Sequence, residues 1–142
     1  MNIAVKRIYE PAQSADGARV LVDRLWPRGI SKEKAALHSW ARGLAPSDVL
    51  RQWFHANRGH WVAFRRYYLK ELALPGAEAE LITLYRIAHR RKRVTLLFAS
   101  KDKEHNNAVI LKEMLEGMKK PPTGTGPAGL RAVRKKAAVR RG

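Results

Sequence analysis

Two kinds of apolar pattern alternate along this chain. Ile3, Val5 and Ile8-Tyr9, interrupted by Lys6-Arg7, predict a first strand that stops before Pro11. Ser14-Ala15-Asp16-Gly17 is a turn signal, and Arg19 to Trp26 then reads as a second strand. Its Val20-Leu21-Val22 centre is continuously apolar, as in a strand covered on both faces of a parallel sheet. Pro27 and Gly29 end it, and Ser31 is placed to cap a short helix through Lys32-Glu33-Lys34. The period then becomes helical. Ser47 is an N-cap for a helix bearing Val49, Leu50, Trp53 and Phe54. A second helix carries Trp61, Phe64, Tyr68, Leu69 and Leu72, and a third opens at Pro75 with Leu81, Leu84, Tyr85 and Ala88 as its stripe. Val94-Thr95-Leu96-Leu97-Phe98-Ala99 predicts the clearest buried strand. A last helix beginning near Asp102 shows Ala108, Leu111, Met114 and Leu115 on one face.

Strand, strand, helices, strand, helix predicts an α/β fold: a small, mostly parallel sheet of three or more strands packed by several helices. The first connection, residues 10–18, is short for a crossover helix, so the relation between the first two strands stays open. The helical stretch between the second and third strands is ample for a parallel crossover. After Met118 the pattern ends. Residues 121–129 have a Pro/Gly linker composition, and Leu130 to Gly142 is basic and alanine-rich with too few large apolar residues for a core. The chain therefore divides into a folded unit, residues 1–118, and a disordered basic arm, residues 119–142.

Charge sharpens this division. The whole chain has 29 Lys+Arg against 12 Asp+Glu, a net +17. The arm contributes +8 through Lys119, Lys120, Arg131, Arg134, Lys135, Lys136, Arg140 and Arg141, and holds no acid. That leaves 21 bases against all 12 acids, or +9, in residues 1–118. Such a balance favours polyanionic partners. The absence of cysteine excludes disulfide scaffolds, thiolate metal sites and cysteine nucleophiles, and fits a reducing cytoplasm. No apolar run is long enough to span a membrane, and no membrane partner is expected.

Two polar segments follow predicted strands, where open parallel sheets bind ligands. One is Asp23-Arg24-Leu25-Trp26-Pro27-Arg28-Gly29; the other is Ser100-Lys101-Asp102-Lys103-Glu104-His105-Asn106-Asn107. Asp23 interrupts an apolar strand and must find a cation or backbone donors. It is either a general base or orienting carboxylate, or one half of an ion pair with Arg24, Arg28 or Lys101 that fixes the loop. Trp26 either stacks on a ligand or seals the sheet edge. His105 suits acid–base work near neutral pH, and Asn106 and Asn107 can orient a polar ligand or simply bond locally at the helix start. The histidines, His38, His55, His60, His89 and His105, show no metal-ligand spacing, and neither a Gly-rich phosphate loop nor a serine elbow is present, so no metal or cofactor is expected.

These segments, together with Trp40, Leu44-Ala45-Pro46-Ser47, Trp53-Phe54, Trp61, Phe64, Tyr68 and Leu96-Leu97-Phe98-Ala99-Ser100-Lys101-Asp102, resemble the YeaO-like family of bacterial domain-of-unknown-function proteins. The match runs in order from about residue 3 to 116, and the string through Trp26-Pro27-Arg28-Gly29 is its most specific part. The resemblance implies a compact cytosolic α/β domain and supplies no reaction. More distant relatives place a cysteine near the end of the last strand; Ala99-Ser100 stands there in this chain, so thiol chemistry does not carry over.

Three functions follow as expectations. In the first, Arg24, Trp26, Arg28, Lys101, Asn106 and Asn107 hold an anionic small molecule, a nucleotide or phosphorylated metabolite, while Asp23 and His105 handle protons. In the second, the arm binds DNA or RNA through phosphate contacts, without an aromatic to read bases. In the third, the domain binds a protein partner and does no chemistry.

Overall fold

The computed structural model describes residues 1–122 of the chain. Four parallel strands form one sheet in the order β1-β4-β2-β3: β1 Ile3–Arg7, β2 Ala18–Leu21, β3 Ser39–Trp40 and β4 Val94–Phe98. Five α-helices accompany them: α1 Lys32–Ala35, α2 Asp48–Ala56, α3 Trp61–Leu72, α4 Pro75–Arg90 and α5 Asn107–Gly117. The expected α/β class stands. β4 inserts between the first two strands, pairing Val94 with Ile3 on one side and with Ala18 on the other. That insertion resolves the connection the sequence left open: residues 8–17 pass from one side of β4 to the other through the short 3-10 turn Ser14–Asp16.

The central strands are buried on both faces, which is why they read as unbroken apolar runs. Val20, Val22, Val94, Leu96 and Phe98 face a core built with α2 to α5, including Phe64, Tyr68, Leu84 and Leu111. Leu21 and Leu97 face the other way, against Ile8, Ala35, Trp26 and Trp40. The amino-terminal half of this second face is polar. There Arg19, only 4% exposed, donates from Nε to the Ala35 carbonyl (2.8 Å) and from Nη1 to Asp16 (2.6 Å). Lys6 donates to the same Asp16 carboxylate at 3.0 Å, and the Thr95 hydroxyl donates to the Asp16 carbonyl at 2.7 Å. Gly17 makes this turn feasible. Its φ is +67°, and a Cβ there would sit 2.2 Å from the Arg93 carbonyl oxygen.

Several boundaries differ from the sequence expectation, the first being β1, which ends at Arg7 with Ile8-Tyr9 already in the following turn. β2 ends at Leu21, although the Val22 N–H still donates to Leu97, so Asp23 lies just past the strand. β3 has two residues and no apolar run to announce it. α5 starts at Asn107, not near Asp102: Asn106 is its N-cap, accepting from the Val109 N–H at 3.1 Å, and Asp102 instead organises the preceding loop. α5 then packs back along β1 and β4 toward the amino ends of the strands.

Candidate functional site

At the carboxyl ends of the strands an open cleft of about 780 Å³ runs between the loop after β2, the loop after β4 and helix α2. Its size falls within the usual range for small-ligand sites. The structure brings Asp23, Arg24, Trp26, Arg28, Lys101, His105, Asn106 and Asn107 together in its lining. Lys119 and Lys120 are exposed beyond the far end of α5, away from the cleft. Arg131, Arg134, Lys135, Lys136, Arg140 and Arg141 lie outside the described residues.

Asp23 is half-buried and held by amide donors rather than by a cation. Its Oδ2 accepts from the Ala99 N–H at 2.9 Å, taking the donor just past the end of β4, and its Oδ1 accepts from Asn107 Nδ2 at 3.1 Å. Asn107 Nδ2 also donates to the Val22 carbonyl at 2.7 Å, tying the start of α5 to the end of β2. Arg24, expected as a partner of Asp23, donates instead to the carbonyls of Pro46 (3.0 Å) and Ala45 (3.4 Å) and so anchors the approach to α2. Burial pushes the Asp23 carboxyl above the ordinary carboxylate range, against the opposing pull of the Ala99 N–H, the Asn107 amide and the Arg51 charge. The Tyr68 hydroxyl, which donates to Leu44 in the core, is pushed well above its ordinary value by burial and by the Asp23 and Glu71 charges.

The second loop is built around Asp102. Its Oδ1 accepts from the N–H groups of Glu104 (3.0 Å) and His105 (2.9 Å), and its Oδ2 faces His105 Nδ1 at 3.3 Å and Arg58 at 3.6 Å. The His105 N–H leads the effects that hold this carboxyl below the ordinary range; partial burial opposes it, and the Glu104 N–H and the His105 ring add to the lowering. His105 is exposed, its ring 5.0 Å from that of Trp61. Asn106 is buried as the α5 cap, so its side chain serves the helix as much as the cleft. Trp26 braces its own loop: Nε1 donates to the Ile30 carbonyl at 2.7 Å and the ring meets Trp40 edge-on at 5.5 Å. Trp40 in turn donates to the Asp23 carbonyl at 2.7 Å. Trp26 packs at the sheet edge and also borders the cleft.

Sequence reasoning missed part of the lining. Arg7, Arg51, His55, Arg58, Phe54 and Phe64 all border the cleft. Arg51 and His55 recur at i and i+4 on α2, a periodic signal present in the sequence, and Arg58 follows just past the C-cap Asn57. Arg7 stacks its guanidinium 4.7 Å over Tyr9 and donates to the Ala99 and Ser100 carbonyls. Among the described residues, six cations line the cleft (Arg7, Arg24, Arg28, Arg51, Arg58, Lys101) against two carboxylates, Asp23 and Asp102. Arg28 and Lys101 keep their charged ends free of any ion pair or hydrogen bond among the described residues, and both are exposed.

These directions give a test. In a carbon-detected NMR titration, Asp23 is expected to titrate above 3.8 while Asp16 and Asp102 titrate below it. An Asp23 midpoint at or below those of the other two would mean that its burial is wrongly placed.

Among the described residues no group of three or more His, Asp or Glu side chains is arranged to hold a metal ion, and no helix is long and apolar enough to cross a membrane. The family model described as the inactive DUF488-N3 subclade matches residues 2–125. The uncharacterized protein YeaO of Escherichia coli is 42% identical over 118 residues, covering 83% of this chain and all of that protein. Uncharacterized proteins of Mycobacterium bovis and Mycobacterium tuberculosis are each 36% identical over 116 residues, covering 82% of this chain and 95% of theirs. No solved structure matches.

Proposed function

The chain belongs to the YeaO-like DUF488 family, within the subclade described as inactive, and from that premise we propose that its cleft binds a small phosphorylated anion, a nucleotide or sugar phosphate, without turning it over. The observation that carries this reading is the imbalance of the lining, six cations to two carboxylates, at the strand ends where parallel sheets place ligands. The cations divide their work. Arg7 and Arg24 are fixed by backbone carbonyls and present a preorganised charge, while Arg28 and Lys101 are free to close on a phosphate. Trp26, Leu25 and Phe54 supply apolar surface for the uncharged part of the ligand.

Binding without chemistry also fits the side chains present. The chain has no cysteine, and the Ser100 hydroxyl is engaged with the Asp102 N–H at 3.1 Å rather than with His105. Asp23 then acts as a positioning carboxylate that holds the ends of β2, β4 and α5 in register.

A thermal-shift screen of the full chain with nucleotides, sugar phosphates and inorganic phosphate tests the reading. A ligand at tenfold its Kd stabilises the fold by about 1.4 kcal/mol, so at least one of these should raise Tm by several degrees. Arg28→Ala should keep the unliganded Tm, because only the Arg28 carbonyl is used by the fold, as acceptor for Tyr9, and should lose most of the shift. A flat response across all three ligand classes overturns it.

A further inference from the structure

The end of the molecule opposite the cleft carries a second concentration of charge. Arg86, Arg90, Arg91, Lys92 and Arg93 are all exposed, none forms an ion pair among the described residues, and no acid occurs between Glu80 and Asp102. A favourable interaction with the carboxyl end of α4 accounts for Arg90 in its last turn. It does not account for Arg91, Lys92 and Arg93, which continue past the helix as adjacent like charges and repel one another.

This turn is also fixed in place. The Arg93 carbonyl accepts from the Ala18 N–H at 2.9 Å, and the next residue, Val94, donates to the Asn2 carbonyl at 3.0 Å. The Arg91 side chain meets His38 Nδ1 at 3.3 Å, just before β3. The four bases are thus pinned across the amino edges of β1, β2 and β3. Helix α5 delivers more charge to the same edge. It starts at the cleft and runs eleven residues back along β1 and β4, about 16 Å at 1.5 Å per residue, which matches the length of the five-residue β4. Lys119 and Lys120 therefore emerge at this edge, and the sequence after them holds six further bases and no acid.

We propose that this amino edge, Arg90 to Arg93 with Lys119 and Lys120, is a docking surface for the phosphate backbone of a nucleic acid duplex. It is independent of the small-anion reading of the cleft. The surface offers charge without aromatic side chains, so it contacts phosphates and does not read sequence. An anionic membrane is the less suitable partner. Surface insertion needs an apolar face beside the basic one, and among the described residues Met1 is the single exposed large hydrophobic at this end.

The test is a salt titration of duplex DNA binding by the full chain, comparing wild type with a triple Arg90→Gln, Arg91→Gln, Lys92→Gln variant and with Arg28→Ala. Each lost phosphate contact lowers the slope of log K against log salt by about 0.9, so the triple variant should lose about 2.7 in slope and bind about tenfold or more weakly at low salt. Arg28→Ala should bind DNA as wild type does, while a cleft ligand should still stabilise the triple variant. Unchanged binding by the triple variant, no duplex binding by wild type at low salt, or tighter binding to phosphatidylserine vesicles than to the duplex would each overturn the proposal.

Discussion

An Asp16→Ala protein is expected to lose about 3–5 kcal/mol of folding stability, a large share of what a domain of this size has. Asp16 is 6% exposed and Arg19 4%, and their 2.6 Å contact lies on a sheet face otherwise closed by Leu21 and Leu97. Removing the carboxylate leaves the Arg19 guanidinium buried, with Nη2 already lacking a partner, deprives the Gln13 N–H of its acceptor and leaves Lys6 with the Pro11 carbonyl alone. Exposed pairs behave differently. Asp48→Ala breaks only the Arg51 contact at 3.3 Å between two well-exposed side chains and should change stability by about 1 kcal/mol or less. Urea melts of the two variants beside wild type make the comparison, and equal midpoints would sink the buried-network account.

The same network sets a pH dependence. Burial pushes the Asp16 carboxyl up, but the Gln13 N–H, Lys6 and Arg19 outweigh it and leave the folded-state value below 3.8. Its contribution is therefore fully present above 3.8 and lost as pH falls through the lower folded value, so the gap between wild type and Asp16→Ala narrows in acid. Asp23 acts in the opposite sense. Its folded value is raised, so what it contributes is complete below 3.8 and is lost as pH rises through the folded value.

Reversing the two free cations of the cleft is the second large effect. The double variant Arg28→Glu with Lys101→Glu replaces two unpaired positive charges at the cleft mouth by negative ones. Affinity for a phosphorylated ligand should fall at least about 100-fold, roughly 2.8 kcal/mol, because attraction is lost and repulsion gained. The fold should survive, since neither charged end has a partner among the described residues. Calorimetric titration of wild type and double variant reads the loss, and equal affinities would remove these residues from the site.

Much of this arrangement was legible in the residues because it rests on local rules. The unbroken apolar runs at Val20 and Val94 announced strands buried on two faces, and the helical stripes of α2, α3 and α4 appear as spaced except at Val49, which faces solvent on α2. The juxtaposition of the loop after β2 with the loop after β4 follows once β2 and β4 are neighbours, a pairing the sequence left open and the strand order supplies. Other features depend on partners distant in sequence. Nothing near Arg19 says that Asp16 and Ala35 will accept its protons, so its burial was not visible. The start of α5 was misplaced because Asp102, Asn106 and Asn107 are all residue types that cap helices, and only packing selects Asn106. Arg24 turned toward Pro46 because α2 brings unpaired carbonyls within reach, leaving Asp23 to amide donors.

The most direct measurement is a proton–nitrogen NMR titration of the full chain with inorganic pyrophosphate and, separately, adenosine monophosphate. Saturable shifts should concentrate at the amides of residues 23–29 and 99–107, with the 90–93 turn unmoved by the nucleotide. Amides around the cleft that stay still at millimolar concentrations of both, or that move only together with the opposite edge, would contradict an anion site at the strand ends.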